Sequence, residues 1–158
     1  MQLKHTIWIS AAIIILAAAV VTTAIYLWEL SDIGSDITAT APIPSCDLQH
    51  GACQALFPDG SQVTLSISPR PIQGLKPLQI RVQTKGIEAQ TVKVDFRGLD
   101  MNMGYNRPRL SKESAGQYSG MGVFSACILE RMTWEATVLV RTAEGVMAAP
   151  FRFETINP

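Results

Sequence analysis

Gln62-Val63-Thr64-Leu65-Ser66-Ile67-Ser68 alternates strictly, with Val63, Leu65 and Ile67 on one side and polar residues on the other. A period of two is the pattern of a strand with one buried face. Just before it, Pro58-Asp59-Gly60 reads as a turn: proline presets φ, aspartate caps, and glycine takes the left-handed position. After it, Ser68-Pro69-Arg70-Pro71 opens a proline-studded connection to Pro77. Leu78 to Thr84 alternates again, Lys85-Gly86 breaks the run, and Val92 to Phe96 alternates a third time. Gly116 to Phe124 is a weaker strand signal. In the next run Trp134, Ala136, Val138 and Val140 share one face, and Ala143-Glu144-Gly145 turns the chain into a last strand from Val146 to Phe153. No soluble helix is convincing and no internal repeat is visible. About seven short strands at regular spacing predict an all-β domain over residues 46–158, an antiparallel sandwich of two sheets.

Working back to the N-terminus, residues 7–28 carry no charged side chain. At about 1.5 Å per residue a helix of that length crosses a hydrocarbon core of about 30 Å. Trp8 lies near one end, and Tyr26 and Trp28 near the other, as interfacial aromatics do. Ala17-Ala18-Ala19 imitates a signal cleavage site, but the apolar run continues past it to Trp28. The expectation is an uncleaved transmembrane signal anchor. Lys4 and His5 precede it, whereas Glu29, Asp32 and Asp36 follow. The positive-inside bias then leaves residues 1–6 in the cytoplasm and the rest outside. Residues 29–45 have no sustained period, carry the punctuation Pro42-Ile43-Pro44 near their end, and read as a tether.

Composition narrows the function. Lys plus Arg and Asp plus Glu balance at 13 each. A nucleic-acid partner is not expected, because such a protein carries a basic stripe against the phosphates. There is no Gly-x-Ser-x-Gly elbow, no phosphate loop and no His-Glu-x-x-His, and His50 is the one histidine beyond the anchor. An enzyme is therefore not expected. A blue-copper centre needs two histidines and a cysteine, and structural zinc needs four paired Cys or His ligands; neither set is present.

What remains is sulfur. Four of the six methionines fall between residues 99 and 134. Met101-Asn102-Met103-Gly104 places two thioethers on one side of an extended backbone, and soft neutral sulfur selects Cu(I). Cys127 and Met132, just before the Trp134 strand, are candidates to complete a three- or four-coordinate site. The competing reading makes the methionines flexible fillers of an irregular core and Cys127 a small buried hydrophobe. Met121 and Met147 read as core. Three cysteines allow one disulfide and a leftover thiol. Local proximity favours Cys46–Cys53, leaving Cys127 for metal; the rival, Cys53–Cys127, joins two strands. Arg107 and Arg109 beside the Met loop could dock an acidic partner, but are expected to pair with Asp95, Asp100 or Glu113 at the surface.

Asp100-Met101-Asn102-Met103-Gly104-Tyr105-Asn106-Arg107, then Gly116-Gln117-Tyr118, then Cys127, Met132 and Trp134, resembles small membrane-anchored bacterial envelope proteins of the YtkA-like and FixH-like kind. The likeness covers roughly residues 90–140 and the overall layout. It implies an immunoglobulin-like domain in the periplasm behind one helix in a bacterial inner membrane, a role in copper handling and a respiratory oxidase under assembly as partner. The chain departs from that pattern in having no histidine near the Met loop, which leaves Cu(I) as the form to test. Two functions are carried forward: a Cu(I)-binding protein, and a metal-free accessory subunit that docks on an inner-membrane complex.

Overall fold

The computed structural model describes residues 13–26, 37–104, 106–123 and 130–156. The chain divides into two compact units, Met1–Asp36 and Ile37–Pro158.

In the first unit residues 13–26 form an α-helix whose side chains are all exposed. Its two threonines satisfy their hydroxyls on the helix itself: Thr22 Oγ1 donates to the carbonyls of Ala18 and Ala19, and Thr23 Oγ1 to that of Ala19. The anchor expected over 7–28 lies only partly within the described residues. Among these, no helix is long and apolar enough to cross a membrane.

The second unit is all-β. Its described residues hold nine strands: β1 (Ile37–Thr40), β2 (Cys53–Leu56), β3 (Gln62–Ser68), β4 (Leu78–Lys85), β5 (Thr91–Gly98), β6 (Arg109–Ser114), β7 (Gln117–Gly122), β8 (Arg131–Thr142) and β9 (Gly145–Ile156). They are hydrogen-bonded in the single order β1-β9-β8-β5-β6-β7-β4-β3-β2. Every pairing is antiparallel except β1 with β9. The link between the two halves is β6. Its first residues, Arg109 and Leu110, face Lys93 and Val92 of β5, whereas Ser111, Lys112 and Ser114 face β7. A bulge between Lys112 and Ser114 interrupts the register of its pairing with β7.

The alternation read from the sequence becomes the interior. Val63, Leu65 and Ile67 of β3, Ile80 and Val82 of β4, Val92, Val94 and Phe96 of β5, and Trp134, Ala136 and Val138 of β8 all join one buried cluster. Fully burying a side chain of this size stabilises by about 1.5–3 kcal/mol. The Trp134 indole N–H, out of reach of water, donates to Thr155 Oγ1 at 3.0 Å.

Two stretches differ from expectation. The tether predicted over 29–45 contains β1, whose Ile37 and Thr40 pair with Val146 and Ala148. Four residues are too short a run to declare a period, and the pairing comes from the edge that β9 offers. Between the Met residues and Gly116, where the sequence reading placed no strand, lies β6, in which Leu110 alone is buried. The described strands therefore number nine, not about seven, and they run in one continuous, curled series.

Candidate functional site

The strands give this unit two ends. β5 runs from one to the other, and the methionine loop leaves from its C-terminal residue, Gly98. That loop is held on both sides. Leu99 N donates to Thr133 O at 2.9 Å, and Asp100 Oδ2 accepts from Thr133 N at 2.6 Å, so the loop starts fastened to β8. Asn102 Oδ1 accepts from Gly104 N at 2.9 Å, an Asx turn that reverses the chain with Gly104 at φ 76°. On the way back Asn106 O accepts from Phe96 N and Pro108 O from Val94 N, which lays the return against β5.

Inside this frame the methionines crowd onto one glycine. A Cβ built on Gly98 would overlap Cε of Met132, lie 2.6 Å from the carbonyl oxygen of Met101 and 3.1 Å from Cγ of Met103. Only glycine leaves the space that the two side chains, Met103 and Met132, occupy together. Met132 is wholly buried in β8, Met103 packs half-buried against the core, and Met101 is 37% exposed. Chemically the arrangement offers two neutral, polarizable thioether groups on a common position, with a third at the rim.

The expectation that Met132 lies in a loop ahead of the strand is corrected: it is the second residue of β8, on the same inward face as Trp134. Met121 is corrected as well, since it faces outward from β7 at 62% exposure. Met147 is half-buried at the opposite end. Cys127 lies outside the described residues.

Cys46 and Cys53 stand at disulfide distance, with Cα atoms 5.9 Å apart. Between them Asp47 turns the chain, its Oδ1 accepting from Gln49 N and its Oδ2 lying 3.0 Å from His50 Nδ1. The imidazole is exposed. A residue the sequence reading passed over, Gln49, clamps this loop: its Oε1 accepts from Ile72 N at 2.7 Å, and its Nε2 donates to the carbonyls of Ile72 and Glu154. No motif marks it, because the partners come from two distant segments.

Arg107 Nη2 donates to Asp95 Oδ2 at 3.0 Å, and both side chains are substantially buried rather than at the open surface. At the far end Asp59 Oδ1 accepts from both Oγ and N of Ser61; these bonds, the hydroxyl's first, hold its carboxyl below the ordinary value. Among the described residues no three His, Cys, Asp or Glu side chains form a group able to hold a metal ion. No family model matches the chain, and neither a curated protein nor a solved structure does.

Proposed function

We propose that this is a membrane-anchored, periplasmic protein whose β-domain, an immunoglobulin-like sandwich, binds Cu(I) at its methionine end and hands it to a membrane complex such as an oxidase under assembly. One observation carries the reading: Met103 and Met132 converge over Gly98, with Met101 at the rim. Thioethers are neutral, so two can approach one ion without the repulsion that thiolates or carboxylates bring, and their softness favours Cu(I) over harder divalent ions. Met103 and Met132 would hold the ion, Met101 and Cys127 would be the exchangeable ligands, and release would proceed by ligand replacement from the exposed side. The anchor is supported by the uncharged run 7–28 and by threonine hydroxyls satisfied within the helix, as a hydrocarbon surrounding demands. The sandwich is supported by β6, which divides its partners between the two halves of the sheet around one core.

The test is a Cu(I) titration of the full chain against a competing chelator, beside Met101→Leu/Met103→Leu. Tight one-to-one binding that the double variant loses supports the site; equal affinity in the two proteins removes it.

A second reading, the metal-free docking subunit, has its own observation. Leu99, Met101, Met121 and Val123 are exposed on or beside this end. Exposed apolar and methionine side chains make adaptable contact surfaces. Purification from native membranes with a stoichiometric partner and no copper favours that reading.

A further inference from the structure

The other end of the β-domain is built differently. The 86–90 connection, the β6–β7 and β8–β9 turns and β1 line an open cavity of about 950 Å³. That volume is at the upper part of the usual range for small-molecule sites. Its floor is apolar: Ile87, Ala89 and Met147 pack on the core there, beside the buried ring of Tyr118. Its rim is acidic, and among the described residues that line it Asp59, Glu88 and Glu144 stand against one cation, Lys112. Among the described residues no ion pair engages Glu88 or Glu144.

A second feature sits beneath the same wall. Thr84 is the last inward residue of β4 and 8% exposed, yet its Oγ1 has no hydrogen-bond partner among the described residues. It lies behind Gly116, which lines the cavity and whose carbonyl accepts from Thr84 N at 2.8 Å. A Cβ on Gly116 would stand 3.6 Å from this hydroxyl oxygen and 2.6 Å from the Thr84 carbonyl. Thr84 itself does not line the cavity, so its hydroxyl belongs to the packing of this wall and not to the contacts offered to a guest. An apolar floor with unpaired carboxylates at the rim describes one kind of guest.

We propose that this cavity binds an organic ammonium ligand: an apolar body over Ile87 and Met147, with its cationic nitrogen toward Glu88 and Glu144. The proposal is independent of the copper reading, whose residues lie at the opposite end of β5. It is tested by calorimetric titration of the full chain in neutral detergent with 2-phenylethylammonium, and in parallel with 2-phenylethanol, which has the same body and no charge. The expected result is saturable one-to-one binding of the ammonium, about fivefold tighter than the alcohol, from two partly exposed charge contacts. Glu88→Gln/Glu144→Gln, both exposed positions that leave the core untouched, abolishes the preference, and Lys112→Gln tightens the ammonium. Equal binding of the two probes overturns the charge recognition. Saturable binding indifferent to Glu88→Gln/Glu144→Gln overturns the location, and absence of saturable binding overturns the site.

Discussion

The two ends of the β-domain use the same strands to opposite effect. Where β5 ends, the chain packs so closely that Gly98 has no room for a methyl group, and neutral sulfur side chains fill the space. Where β5 begins, the connections stand apart, and carboxylates ring an open cavity. The difference lies in how each loop is tied. The methionine loop is bonded to β8 going out and to β5 coming back, whereas at the cavity Gln90 N donates to Arg141 O, Thr84 N donates to Gly116 O, and the β8–β9 turn bonds within itself through Thr142 and Gly145. A loop tied on both sides can bring uncharged side chains together by packing alone; an open cavity rimmed by carboxylates would select through charge.

The largest test of this contrast is Met132→Ala. Removing a wholly buried side chain leaves a cavity, and urea unfolding should show a loss of about 2–5 kcal/mol. Met101→Ala, at the rim, should cost no more than about 0.5 kcal/mol. Similar losses in the two would mean that the methionines share one environment and the rim-and-core description fails. Next is the Cys46–Cys53 link, whose sequence separation is 7. Replacing both by serine should cost about 2 kcal/mol through freedom returned to the unfolded chain, read in the same unfolding experiment with and without reductant. Gly98→Ala should cost about 1–3 kcal/mol through forced displacement of Met132 and the Met101 carbonyl, and weaken any Cu(I) binding with it. Gly104→Ala, where nothing lies within 4 Å but φ is positive, should cost about 1 kcal/mol and leave Met103 and Met132 in place.

The smallest effect belongs to the acidic end. Asp59 has its folded-state pKa lowered from 3.8 by Ser61. A lowered carboxyl favours the folded state above the unfolded pKa and loses that contribution as pH falls through the folded value. Ser61→Ala should therefore destabilise slightly at neutral pH, with the difference from wild type vanishing in acid below both values. A difference that persists undiminished at low pH would assign the effect to Ser61 packing instead.

Much of the fold was legible because burial and alternation coincide. Val63, Leu65 and Ile67, or Trp134, Ala136 and Val138, can face a core only as strands. The reading failed where that signal is thin: β1 has four residues, and β6 buries only Leu110. Met132 was legible as core, since it continues the Trp134 face by two residues. The crowding at Gly98 was not legible, because it depends on β5, β8 and the returning loop meeting. The cavity was hidden for the same reason: its walls come from segments scattered between Thr38 and Met147.

The central claim is that sulfur from methionine holds a copper ion at the Gly98 end. Copper-edge X-ray absorption on the full chain, loaded with Cu(I) and desalted, tests it most directly. The account predicts retained copper with a shell of sulfur scatterers only, depleted in Met103→Leu. A shell of nitrogen or oxygen, or no copper retained after desalting, would contradict it.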